Sequence, residues 1–243
     1  TKEVEAASLV LEPLAGFDNN GELVPRLVDE IPTVENGGVS EDLTSITWVL
    51  SEGITWSDGS PVTANDAVFT WQYCTDPEGG CAQASYFDGV ESVEAVDDRT
   101  IRINFTAPKP FPYTALVGAE SPLIQAAQFA DCLGAAAPEC TEANFGPIGT
   151  GPFVVTEFRP NDVITYAANE NYRVPDQPAF ATVVFKGGGD AASAARAVLE
   201  TGEFDYAWNL QIDPTILAEM EANGIGEVVT AFGTSVERLH LNQ

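Results

Sequence analysis

The stretch from Ser45 to Trp71, SITWVLSEGITWSDGSPVTANDAVFTW, constrains the fold more than any other part of the chain. Ile46, Trp48 and Leu50 alternate in the manner of a half-buried strand. Ile54–Trp56 reads as a second short strand running into Asp58-Gly59, a strong turn dipeptide. Thr63 then occupies the place of a helix N-cap, with Asp66 three residues on. Ala67, Val68 and Trp71 share one face of the helix that follows. No nucleophile, metal cluster or phosphate loop lies in this strand–turn–helix unit, and folding alone accounts for it.

The remaining spacing extends the pattern. A short helix is expected over Glu5–Leu14, from Ala6, Leu9, Val10 and Leu14, followed by a loop at Gly16–Glu22. Gly89–Phe105 reads as two alternating strands joined by an Asp-Asp turn. Ser121–Gly134 is expected to be helical, with Gly134 as its stop. A hairpin then runs through GPFVVTEF and PNDVITYAANENY, and Ala181–Phe185 forms an apolar run. Asp190 can cap a helix through Leu199, ending at Gly202. Phe204–Leu210 reads as a strand, DPTILAEMEANG as a capped helix and IGEVVTAF as a last strand. Hairpins first, then alternating strands and helices, argue for an α/β architecture with an inserted β-rich subdomain over roughly residues 33–147.

Charge excludes several classes. The 37 acidic residues against 10 basic ones leave a formal charge of −27. Such a surface repels phosphate backbones and anionic membranes, so no nucleic-acid partner is expected. The acidic residues are scattered rather than blocked, which favours solubility and names no partner. No apolar run approaches the roughly 18–20 residues needed to span a bilayer. The opening TKEVEAASLV lacks the regions of a signal peptide, so either the chain is not exported or a signal has been removed.

The cysteines form two local pairs, Cys74 with Cys81 and Cys132 with Cys140. Zinc would favour closer spacing and more histidine, and the only His is His240. No metal site is expected. Each pair encloses a loop rich in Gly, Pro or Ala, which can bring two Cβ atoms within bridging distance. Two disulfides are expected in preference to free thiols, and they imply an oxidising compartment.

Catalytic constellations are weak. A Ser-His-Asp site would have to use His240, and no G-x-S-x-G is present. Paired carboxylates could hydrolyse glycosides, but with this many acids some pair always looks suitable. No catalytic residue and no cofactor is assigned. Asn104-Phe105-Thr106 matches a glycosylation sequon within a strand, a match expected by chance. Gly187–Asp190 is a turn between strand and helix, either simply tight or facing a ligand. In YAWNLQ, strand alternation places Trp208 and Leu210 on one face and Asn209 and Gln211 on the other. Trp beside amides suits a polar ligand, because flat apolar area adjoins donors and acceptors. A core Trp with solvated amides is the alternative.

Four blocks then stand in order: LEPLAGFDNNGELVPRLV, TWVLSEGITWSDGSPVTANDAVFTW, GTGPFVVTEFRPNDVITYAANENY and LETGEFDYAW. Together they resemble the extracytoplasmic solute-binding proteins of ABC importers, in the peptide/dipeptide/nickel-binding family 5 group. The resemblance implies a periplasmic-binding-protein-like fold of type II, cluster C. It implies a lobe one at residues 1–32 and 148–243, with residues 33–147 as the inserted subdomain. It also implies a monomer that closes on a peptide or similar small polar solute and delivers it to a membrane ABC permease. The expected location is extracytoplasmic, periplasm or cell surface, with a lipid anchor possible in a full-length precursor. Family members usually run longer, begin with an earlier strand and continue into a second lobe, so a fragment is expected here. By position, Trp208, Asn209 and Gln211 are the expected cleft residues, with Gly188 a further candidate. Relatives also carry nickel, sugars and opines, although one His and one Met disfavour nickel. A secreted carboxylate hydrolase and a sensory solute-receptor domain are the alternatives, distinguished by turnover and by permease interaction.

Overall fold

The computed structural model describes residues 2–187, 189–208, 210–222 and 225–230. They fall into two compact units, Thr1–Lys186 and Gly187–Gln243.

The first unit opens with α1 (Lys2–Ala7), then a small hairpin of β1 (Ala15–Phe17) and β2 (Leu23–Pro25). Its principal sheet has the order β3 (Ser45–Val49), β5 (Thr100–Phe105), β4 (Val90–Ala95), antiparallel throughout. Register places Trp48 opposite Ile101 and Ile46 opposite Ile103, so alternation delivers these four side chains to one face. All four are fully buried. Each contributes on the order of 1.5–3 kcal/mol of burial free energy.

Helix α2 (Ala64–Thr75) packs on that core through Ala64, Ala67, Val68 and Trp71, the expected helical spacing. Its other flank carries Phe69 and Tyr73 to a second cluster with Phe129 and Cys132. There α3 (Ala126–Phe129), a 3-10 turn over Gly134–Glu139 and α4 (Thr141–Phe145) gather around the cysteines. Both expected disulfides are formed, Cys74–Cys81 and Cys132–Cys140, with Cα atoms 4.9 and 5.9 Å apart.

A third sheet, β6 (Phe153–Arg159), β7 (Val163–Ala168) and β8 (Thr182–Lys186), is a meander. Its core is Val10, Phe153 and Tyr166. The Tyr166 hydroxyl donates to the carbonyl of Ala6, and burial pushes its pKa up to about 12.

The second unit pairs α5 (Ala191–Leu199) with α6 (Pro214–Glu221) around Ala195, Leu199 and Met220. Asp190 and Asp213 cap the two helices as expected, accepting from the backbone N–H groups of Ser193 and Thr215 at 2.9 and 2.8 Å.

Several expected elements differ. The helix at Glu5–Leu14 ends at Ala7. Beyond it Gly151 N–H donates to Val10, Phe153 to Leu9 and Leu123 to Glu12, so distant partners claim the carbonyls that a helix would have used. Pro13 removes a donor as well. The loop expected at Gly16–Glu22 is present over residues 18–22, where it forms the tip of the first hairpin, closed by Asp18, whose carboxylate accepts from the N–H groups of Asn20 and Glu22. Ile54–Trp56 is no strand but one bridge, Thr55 with Pro61. The helix expected over Ser121–Gly134 shrinks to α3, because Ile124 N–H donates to Thr70 Oγ1 and Ala126 N–H to Asp66 Oδ1. Phe204–Leu210 and Ile225–Thr230 form no strand among the described residues. The rest of IGEVVTAF, Asn209, Gly188 and His240 lie outside the described residues.

Candidate functional site

Both carboxylates of the Ser57–Thr70 segment, Asp58 and Asp66, are engaged in holding the fold. Asp58 accepts from the backbone and hydroxyl of Ser60 through Oδ1 and from the Gln125 amide through Oδ2. Burial pushes its carboxyl up, yet these bonds outweigh that and hold it below the ordinary carboxylate range. Asp66 is 5% exposed, and its two oxygens accept from the N–H groups of Thr63 and Ala126. The helix start is thereby tied to a chain segment sixty residues on.

Arg173 joins the outlying parts of the first unit. Its Nη1 and Nη2 donate to the two oxygens of Glu12 at 2.5 and 2.9 Å. The same nitrogens reach the carbonyls of Thr150 at 3.3 Å and Arg26 at 2.9 Å. Burial alone would lower the guanidinium pKa, but hydrogen bonding and charge from Glu12 reverse that and leave it above its ordinary value. The glycines of GTG are required by close approach. A Cβ on Gly149 would stand 1.9 Å from the Val10 carbonyl oxygen, and one on Gly151 2.6 Å from that of Leu9. Asn169 then donates its amide to the Gly151 carbonyl at 2.8 Å. Spacing alone did not single out Glu12 and Arg173, since neither belongs to a local motif.

In the second unit Trp208 is 58% exposed and lies outside the core that Leu210 joins. Trp208 and Leu210 therefore do not share an environment as a strand would have made them. Gln211 is exposed. Tyr206, which sequence reasoning passed over, is 72% exposed, and its ring centroid lies 6.4 Å from that of Trp208. Elsewhere a cleft of about 390 Å³ lies between the two disulfide loops, lined by Tyr73, Gly79, Gly80, Cys81 and Pro138 among others. Its walls combine small residues with the polar side chains of Gln83 and Asn144, and the Asn144 amide donates to the Ala137 carbonyl at 3.2 Å. Asn104 of the sequon donates its amide to Ser92 and Glu94 across the sheet.

Residues 22–243 match the family described as Bacterial extracellular solute-binding proteins, family 5 Middle. The chain belongs to that family. Among curated relatives of this family 5 chain, heme-binding protein A of Haemophilus influenzae is 30% identical over 68% of the chain and 34% of the relative. An ABC transporter peptide-binding protein of Brucella ovis is 25% identical over 96% of the chain and 42% of the relative. The chain thus spans less than half the length of the relatives it matches. Among solved structures, the H. influenzae OppA complex with the peptide RPPGFSPFR aligns with TM-score 0.76 at 22% identity, over 93% of this chain and 45% of that one. Bacillus subtilis AppA in complex with a nonapeptide aligns with TM-score 0.73 at 21% identity, over 84% and 39%. These likenesses establish the periplasmic-binding-protein-like, mixed α/β fold of the family 5 chain. The Gly53–Trp71 segment packs into the main core through Ile54, Trp56, Val62, Ala64 and Ala67.

Proposed function

We propose that this chain is part of the substrate-binding component of an ABC importer. It captures an extracytoplasmic solute in a cleft between lobes and hands it to a membrane permease, without chemical change. The family match over residues 22–243 carries this reading. Peptide is the solute class proposed, a choice supported by the peptide-binding names and ligands of the relatives described above. Two disulfides support a location outside the reducing cytosol.

In this reading residues 1–32 and 148–243 belong to lobe one and 33–147 to an inserted subdomain. The separate core around Val10, Phe153 and Tyr166 supports such a division, and residues 14–28, which pack with the larger core, form its seam. Trp208, Asn209 and Gln211 are the proposed solute contacts, with Gly188 as a further one. Native mass spectrometry of the longest natural form of the chain, purified without refolding, tests the function. A co-purified peptide released on denaturation is the expected result. Failure of that form to retain or bind any peptide overturns it.

A further inference from the structure

The second unit carries an aromatic surface that its own folding does not use. Its core is Ala195, Leu199 and Met220, with Leu210, Ile212, Leu217 and Val228 packed against them. Tyr206 and Trp208 stand outside that core, 72% and 58% exposed. Their ring planes are inclined by 34° with centroids 6.4 Å apart, so the two rings form a neighbouring pair. A single exposed aromatic needs no explanation, but two side by side form a patch that favours a partner.

Along the chain on either side of this pair, from Ala197 to Thr230, the charge has one sign. That stretch holds seven acidic residues and no Lys or Arg. Arg196 is the one Lys or Arg among the described residues of the unit, and Glu200 engages it at 2.9 Å. Glu203 and Asp213, each five residues from Trp208, are exposed, as is Asp205 beside Tyr206. Aromatic ring faces are themselves the negative regions of the π-system, and the exposed carboxylate of Asp205, adjacent to Tyr206 in the chain, adds to that field. An anionic group is repelled from such a surface, and a neutral apolar group gains contact area only. A cation gains from both the ring faces and the carboxylate.

We propose that Tyr206 and Trp208 form a subsite for a cationic group of the captured solute, an ammonium or guanidinium. This rests on the solute-binding reading above and narrows it: the preferred solutes carry positive charge where they meet this pair.

The test is titration calorimetry on the longest natural form of the chain, with three N-acetylated tetrapeptides. One is Lys-Ala-Lys-Ala, the second carries acetylated lysine side chains, and the third replaces lysine with glutamate. Salt at about 0.5 M screens attraction between distant exposed charges and leaves contact interactions. The lysine peptide is expected to bind about tenfold tighter than its acetylated counterpart, with the glutamate peptide weakest. Trp208→Ala should erase the preference for lysine, and Trp208→Phe should retain most of it. Because Trp208 is exposed, the alanine variant should keep its circular dichroism spectrum. Equal binding of the lysine and acetylated peptides overturns the inference, as does a lysine preference that survives Trp208→Ala. Either outcome leaves peptide capture standing. If none of the three peptides binds and the natural form carries no peptide, the solute-binding reading falls and the cationic subsite with it.

Discussion

Arg173 closes a gap that Glu12, Arg26 and Thr150 leave between them, and its value lies in its fork shape. One guanidinium serves two carboxylate oxygens and two carbonyls at once. Its side chain is 24% exposed and that of Glu12 9%, so part of the cost of breaking a buried pair is relieved by water. Glu12→Gln is expected to lower unfolding free energy by about 2–3 kcal/mol, read from urea midpoints. Arg173→Lys should cost about 1–2 kcal/mol, because a point charge cannot replace the bidentate contact. No change in either variant would remove the clamp from the account. Gly149 makes a sharper comparison. Gly149→Ala should destabilise by about 3 kcal/mol or more, since the new Cβ meets backbone that cannot yield. Gly146→Ala, whose Cβ would meet the Glu142 carbonyl oxygen at 3.6 Å, should cost less than about 1 kcal/mol. Similar midpoints for the two would refute the close-approach explanation.

Helices in the two units are held differently. Helix α2 is buried on two flanks, against the main sheet and against the cysteine cluster. Helices α5 and α6 share only three buried residues, so their caps matter more. Asp190 is held below the ordinary value of 3.8 by the backbone N–H of Ser193, and Asp213 by that of Thr215. The folded chain therefore prefers both carboxylates ionised, while the unfolded chain takes up protons more readily. Their stabilisation is complete above the ordinary carboxylate value and is lost as pH falls through the lower folded value. Amide NMR resonances of Ser193 and Thr215 should accordingly titrate with midpoints below 3.8, and Asp190→Asn should abolish the Ser193 titration. Midpoints at or above the ordinary value would contradict the capping argument.

At the scale of the whole molecule, a formal charge of −27 sets carboxylates against one another. Such self-repulsion opposes the compact state and is screened by salt. The urea midpoint is expected to rise as sodium chloride increases from about 0.05 to about 0.5 M, because the Debye length shrinks over that range. A falling midpoint would mean that ion pairs such as Arg99–Glu52 and Arg196–Glu200 outweigh the repulsion. The same acidity gives the proposed cationic subsite its setting, since Arg196 is tied to Glu200 close by in sequence.

Local physics was legible before the structure. Alternation marked Ile46, Trp48, Ile101 and Ile103 as a buried face, and cap chemistry marked Thr63–Asp66, Asp190 and Asp213. The short Cys74–Cys81 and Cys132–Cys140 loops declared their pairing. In each case the interacting groups are a few residues apart or obey a fixed period, so sequence neighbours carry the signal. Tertiary structure alone decided the rest. It ended the first helix at Ala7, kept Ser121–Gln125 out of the helix and brought Arg173 to Glu12. Those outcomes depend on hydrogen bonds between residues 54 to 161 positions apart, and a backbone group takes whichever partner the folded chain brings near.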